Sequence, residues 1–215
     1  MPNCADCRQK PCQYGQALEG VPVGCPSKES DQARTAALYQ GEERRCAQAA
    51  AAVEGHGYCQ LTRVEEIMDY AMRCGYTKLG LAFCVGLSQE AAALVRVLRD
   101  NGFTVQSVCC KNAAVPKSAI GIPREDQVRP EREEEIMCNP IGQAECLNRA
   151  GTELNLILGL CVGHDTLFIS HSRAPMTYVA VKDRVTGHNP LAAVYGAQGY
   201  FSRLHTFVKT HWGKK

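Results

Sequence analysis

Eight cysteines of this chain fall into two sets whose positions suit metal or redox chemistry. The first set is Cys84, Cys110, Cys138 and Cys161. Three of these thiols close short apolar runs of β-strand length, at 78–84, 103–109 and 154–160. Cys138 ends a long loop, just before Asn139 and Pro140, where the backbone is not yet helical. In an open α/β sheet the carboxyl ends of the strands form the ligand crevice. If the strands run parallel, thiols more than twenty residues apart in sequence therefore meet at one edge. Thiolates are soft ligands for zinc, iron and iron–sulfur clusters. The alternative is a set of buried structural thiols, since free cysteine behaves as a small core residue. Cys109 should point to the face opposite Cys110, because strand side chains alternate. It is left out of the set, as is Cys146 in mid-helix.

The second set is Cys4, Cys7, Cys12 and Cys25, spaced C-x2-C-x4-C-x12-C among prolines 11, 22 and 26 and glycines 15, 20 and 24. So many breakers leave little room for a self-sufficient fold, and four thiolates on a metal would staple the segment. Zinc ribbons use two close C-x2-C pairs, whereas only the first pair is close here. Iron–sulfur sites accept one C-x2-C with singletons, and a Cys-Pro step such as Cys25-Pro26 occurs in ferredoxin-type runs. Iron–sulfur is the first expectation at this segment, zinc the second, and no metal the third.

His164 offers a third kind of ligand, or an acid–base group near neutral pH. Its plain alternative is a histidine bonded to backbone near a helix start. Lys182, Asp183 and Arg184 follow the last strand, where they could steer an anion or tune a cluster. The plain alternative there is an internal salt-bridge set.

The elements that must position these residues alternate along the chain. A helical stretch rich in Ala, Gln, Arg and Glu, interrupted near Gly41, covers 30–53. Thr62-x-x-Glu65 is a capping box for the next helix, whose apolar stripe is Ile67, Ala71 and Met72. A strand over 78–84, a helix from Ser88 as cap through Arg99, and a strand over 103–109 follow with short joints. Helices at 141–150 and from 163, a buried strand at 154–160, and a strand at 177–181 complete the alternation. That order implies right-handed parallel crossovers. The expected fold is α/β, an open parallel sheet with helices on both faces. A small cysteine-rich, metal-stapled N-terminal segment (1–29) precedes the α/β domain (30–215). Residues 111–137 carry three prolines and a mixed charge run, and loops of that length are often functional. Cys46, Cys59 and Cys74 read as core thiols.

Bulk composition excludes several classes. Net charge is +2, from 24 Lys and Arg against 22 Asp and Glu, so neither nucleic acid nor an anionic membrane is an expected partner. No apolar run is long enough to span a bilayer. The first residues lack the apolar core of a secretory signal, so a cytoplasmic location is expected. Thirteen cysteines in a reducing compartment argue for metal or redox use over disulfides.

Several stretches carry a resemblance: FCVGLSQEA at 83–91, SVCCK at 107–111, CNPIGQA at 138–144, GLCVGHD at 159–165 and VKDRVTGHNP at 181–190. With the N-terminal CADC, Cys12 and Cys25-Pro, the chain resembles an uncharacterised cysteine-rich family. Its members are labelled metal-binding and are common in anaerobic bacteria and archaea. The resemblance implies a metalloprotein, supports the eight cysteines named above, and supplies no reaction. The resulting expectation is a protein with up to two 4Fe-4S-type clusters, used in electron transfer or sulfur chemistry. Its partner would be a redox protein or a small anionic substrate. The alternatives are a zinc protein without redox activity, with zinc at the N-terminal site, and a metal carrier.

Overall fold

The computed structural model describes residues 4–8, 10–15, 21, 24–30 and 32–212. The chain divides into two compact units, residues 1–60 and 61–215. The first unit holds single helical turns at Cys4–Asp6 and Pro11–Tyr14 and three helices. These are α1 (Pro26–Glu29), α2 (Gln32–Ala36) and α3 (Gly41–Gly57), with Gly41, the first residue of α3, at positive φ.

The second unit contains α4 (Arg63–Arg73), β1 (Lys78–Phe83), α5 (Ser88–Asp100), β2 (Thr104–Cys109) and α6 (Pro140–Ala150). It continues with β3 (Leu154–Leu158), α7 (His164–His171), β4 (Met176–Ala180), α8 (Pro190–Tyr195) and α9 (Phe207–His211). The Thr62 capping box is present. Thr62 Oγ1 accepts from Glu65 N, and Glu65 Oε2 accepts from Thr62 N at 2.7 Å. The bonds from Thr62 hold the Glu65 carboxyl below its usual range. Ser88 does not cap α5 as expected. It is the first residue of the helix, and its hydroxyl donates back to Val85 O at 2.6 Å.

The four strands form one parallel sheet in the order β2-β1-β3-β4. Right-handed crossovers in that order put α5 on one face and α6 with α7 on the other. The packing agrees, since α5 and α6 each lie against β1 and β2, and α6 lies against α7. β1 leads outward to β2 and β3 leads outward to β4, so the topological switch point lies between β1 and β3.

The buried centre of the sheet is apolar except at Asn155, which is used structurally. Leu79, Leu81, Ala82, Leu154, Leu156 and Ile157 are buried, with Leu98, Leu147 and Phe168 from the helices. Buried Asn155 accepts from Thr152 Oγ1 at 2.7 Å and donates to Ser172 Oγ at 2.8 Å. Its Oδ1 occupies the space beside Gly80, where an added Cβ would lie 2.0 Å away. That is why the central strand carries glycine at this point.

Phe83, Cys109 and Leu158 lie level in the register, so β1, β2 and β3 end together. The expected strand 154–160 is two residues shorter, because Gly159 turns the chain at φ +63°. Cys84 and Cys110 thus stand one residue past their strands, and Cys161 stands three residues past its own. Cys59 is exposed at φ +56°, so its assignment to the core fails, whereas Cys74 is buried.

Candidate thiol centre

Main-chain bonds continue past the strand ends and hold the thiols in place. Cys84 N donates to Leu158 O at 3.1 Å, and Cys110 N donates to Phe83 O at 2.9 Å. Gln143 of α6, fully buried, donates from Nε2 to Phe83 O (3.2 Å) and Val108 O (2.7 Å), tying the ends of β1 and β2. Its Oε1 is buried without a hydrogen-bond partner.

Cys138 is brought in by a clasp across the long loop. Asn139 N donates to Cys110 O at 2.7 Å. Asn112 Nδ2 donates to Cys109 O and Asn139 O at 3.1 and 3.0 Å, and Asn139 Nδ2 donates to Asn112 Oδ1 at 3.2 Å. Asn139 Oδ1 also caps α6 by accepting from Gly142 N at 2.9 Å. Gly142 has no side chain for a plain reason: its Cβ would lie 2.3 Å from Asn139 Nδ2 and 2.4 Å from Asn112 Oδ1.

The result is a contiguous trio of sulfurs. Cys138 Sγ and Cys110 Sγ are 3.8 Å apart, and Cys84 hydrogen-bonds to Cys110. Cys84 is 6% and Cys110 2% exposed, while Cys138 is half-buried. Val85 N donates to Cys110 Sγ at 3.3 Å. Cys110, bonded to both neighbours and buried, has its thiol pushed up and keeps its proton. Cys84 is pulled down to about 5, first by the Cys110 hydrogen bond and further by Gly86 N–H and Lys182, against the cost of burial. Cys138 is pulled down to about 4 by Cys110 and then His164, with Lys111 assisting. The trio thus biases Cys84 and Cys138 toward the thiolate and Cys110, between them, toward the thiol.

Basic side chains lie around this trio. The His164 ring hydrogen-bonds Cys138, which raises its pKa, while its Nδ1 is buried without a partner. Lys182 bonds Cys84. Arg184 Nη2 donates to Cys161 Sγ at 3.1 Å, and the guanidinium also feels Cys84 and Cys138. Cys161 is thus at the same edge, held by Arg184. Asp183 does not pair with its two basic neighbours as a salt-bridge set. Its Oδ1 accepts from Val185 N (2.9 Å) and Thr186 N (3.0 Å) and shapes its own loop. At the start of α7, Asp165 accepts from Tyr178 OH at 3.0 Å, and burial with this bond pushes Tyr178 up to about 12.

Comparison with known proteins gives a lineage and no activity. A family model described as a protein of unknown function, DUF1847, matches residues 25–179. The chain belongs to the DUF1847 family. It is 40% identical over 192 residues to the uncharacterized protein MJ0455 of Methanocaldococcus jannaschii, across 89% of this chain and 93% of that one. No solved structure matches. An uncharacterised family is what the sequence motifs implied.

In this DUF1847 chain the family match contains Cys25, Cys84, Cys110, Cys138, Cys161 and His164, while Lys182 and Arg184 lie just past it. Of the N-terminal cysteines, Cys4 and Cys12 lie in single helical turns, Cys7 lies outside them and Cys25 directly precedes α1. Cys4 and Cys12 are exposed, and Cys7 and Cys25 are half-buried, with Cys7 Sγ accepting from Lys10 N at 3.5 Å. Among the described residues, no group of three or more His, Cys, Asp and Glu side chains is arranged as a ready metal site. At the strand edge the thiols hydrogen-bond each other instead.

The donor set nonetheless fits a thiophilic metal in chemistry and in span. Two sulfurs each about 2.3 Å from one tetrahedral metal stand about 3.8 Å apart, and Cys110 and Cys138 show that separation. Lys111, Gln143 and the Asn112–Asn139 clasp were not among the residues singled out from sequence. The signal available was weak: an Asn within two residues of each of the two thiols that approach across the loop.

Proposed function

We propose that the carboxyl edge of the sheet is a cysteine-ligated metal centre of the iron–sulfur class, serving electron transfer or sulfur chemistry. The observation that carries this is the convergence of Cys84, Cys110 and Cys138, with lowered pKa at two of them, among basic side chains. Thiolates are the metal-binding form of cysteine. When bound, such a group supplies one-electron chemistry or a Lewis-acidic iron. Cys84, Cys110 and Cys138 would hold it, with Cys161 as the fourth thiolate or as the thiol that Arg184 withholds. The residues around them do the tuning. His164 and Lys182 stabilise negative charge on Cys138 and Cys84, and hydrogen bonds and charge near sulfur set the potential of such centres. The second set, Cys4, Cys7, Cys12 and Cys25, is proposed as a closed centre that organises its own segment.

A second reading has its own observation. The 3.8 Å separation of Cys110 and Cys138 is the span of two thiolates on a single ion. It favours one zinc or iron ion over a multinuclear cluster at the strand edge. Purification without oxygen, followed by absorption spectra and metal and sulfide analysis, separates the outcomes. A brown protein with iron and acid-labile sulfide supports the cluster. Stoichiometric iron without sulfide, or stoichiometric zinc in a colourless protein, supports the single ion. Labile, substoichiometric metal points to a carrier, and metal-free thiols overturn both.

A further inference from the structure

The three sulfurs at the strand edge are graded in access. Cys84 and Cys110 belong to a buried cluster that also holds Ala82, Leu147, Ile157, Leu160 and Phe168. Cys138 packs against that cluster from its outer side and is only half-buried. A reagent in solution therefore meets Cys138 first. Next to it, 3.8 Å from its sulfur, is Cys110 Sγ. Cys84 hydrogen-bonds Cys110, so it stands one sulfur further in.

The main chain around the outer pair is already set. Asn139 N donates to Cys110 O at 2.7 Å, and Asn112 Nδ2 bridges Cys109 O and Asn139 O. The pair is 28 residues apart in sequence, yet its sulfurs need only close from 3.8 Å to the about 2.0 Å of a disulfide, within reach of side-chain rotation. Cys138 also directly precedes Asn139, the cap of the 11-residue helix α6. The N-terminal end of a helix stabilises negative charge, and the attacking form of a cysteine is the anion.

We propose that Cys138 and Cys110 form a dithiol pair that reduces small organic disulfides, Cys138 attacking and Cys110 resolving. Cys138 Sγ attacks one sulfur of R–S–S–R, forming a Cys138–S–S–R bond while the other RS⁻ leaves and takes up a proton. Cys110 Sγ then attacks Cys138 Sγ, and its S–H proton passes to the second RS⁻. Two protein thiols become one Cys110–Cys138 disulfide, and the substrate takes up two electrons and two protons as two thiols. A half-buried sulfur at a clasped loop suits a small substrate better than a polypeptide. The pair goes beyond the metal centre proposed above and uses the same sulfurs, so ligation and exchange exclude each other at any one time.

The probe is bis(2-hydroxyethyl) disulfide, added under argon to the full chain as purified and again after chelation. Acid quenching and peptide mapping by mass spectrometry read the products. The chelated parent should form a Cys110–Cys138 link, with little mixed disulfide left on Cys138. In Cys110→Ser the reaction should stop at Cys138, raising its mixed disulfide about tenfold or more over the parent. In Cys138→Ser, Cys84 and Cys110 should stay reduced. Mapping of the parent decides the matter without either variant. A mixed disulfide that persists on Cys138, a Cys84–Cys110 link in place of the expected one, or an unmodified trio overturns the proposal. Metal analysis before chelation keeps the two readings apart. A metal-free parent that forms the link upholds exchange and refutes the metal centre. A metal-loaded parent whose chelated form makes no link does the reverse.

Discussion

Cys84, Cys110 and Cys138 are placed by the backbone at the end of a sheet, whereas Cys4 and Cys12 stand on single helical turns and Cys7 and Cys25 lie outside regular elements. At the strand edge, a ladder bond precedes Cys84, another precedes Cys110, and an Asn pair delivers Cys138. The fold has already spent the chain entropy of bringing those sulfurs together, so the proposed metal would meet an organised donor set. Of the four N-terminal thiols, Cys4 and Cys12 are exposed and Cys7 and Cys25 half-buried, and on the proposal above a bound metal would order them. The same residue type is used once as cargo of a fold and once as its proposed staple. The difference shows how topology can replace local spacing: C-x2-C gathers thiols through sequence, and parallel strands gather them through space.

The comparison breaks most sharply on metal removal. Structural metal centres contribute apparent free energies of about 10–16 kcal/mol in small peptides. Treatment with a strong chelator should therefore expose residues 1–29 to protease at least a hundredfold, while residues 61–215 keep their melting temperature within a few degrees. Limited proteolysis read by mass spectrometry, beside thermal unfolding, measures both. Equal sensitivity of the two regions would erase the distinction.

A smaller effect comes from the polar joints of the sheet unit. Gly80→Ala forces a Cβ against Asn155 Oδ1 and should cost about 1–3 kcal/mol, the usual penalty for overpacking. Asn139→Ala removes the α6 cap and half of the clasp and should cost about 1–2 kcal/mol. Denaturant unfolding checks both. Asn139→Ala should also release Cys138 to faster alkylation, and Gly80→Ala, at mid-strand, should not. Neither should touch metal held by the N-terminal cysteines.

Much of this was readable from sequence. Each strand lies within two residues of its expected position, and parallel order follows from short joints between strands and helices. The convergence of Cys84 and Cys110 came from the same periodicity. Cys161 shows where that reasoning stops. The apolar run continues to Leu160, but Gly159 at φ +63° ends the strand early and carries the thiol to Arg184. Gln143 and the Asn112–Asn139 pair were invisible for a different reason. Their partners lie 27 to 60 residues away, and no spacing rule reports side-chain bonds across a loop. His164 and Lys182 were named from sequence, while their individual partners, Cys138 and Cys84, needed the structure.

The pH dependence of thiol reactivity gives a smaller but sharper contrast. Cys138, lowered to about 4, is a thiolate across the neutral range in the metal-free, reduced protein. Its alkylation rate should stay flat from pH 6 to 9 and fall only as the pH drops toward that value. An ordinary exposed thiol has a pKa near 8.5, so its rate rises about tenfold per pH unit below that point. Peptide mapping of iodoacetamide adducts, with a free small-molecule thiol alkylated in the same tube as the reference, reads both slopes together. Parallel slopes would remove the thiolate assignment.

The central claim is that the strand-edge sulfurs form one metal centre, and Cys110, bonded to both neighbours, is its keystone. Cys110→Ser in the full chain, purified without oxygen beside the parent, tests it through metal and acid-labile sulfide per chain. The account predicts loss of the edge centre's metal with the N-terminal centre's metal retained and the α/β unit still folded. Unchanged metal in the variant, with the parent fully loaded, would contradict it and return Cys84, Cys110 and Cys138 to the core as plain buried thiols.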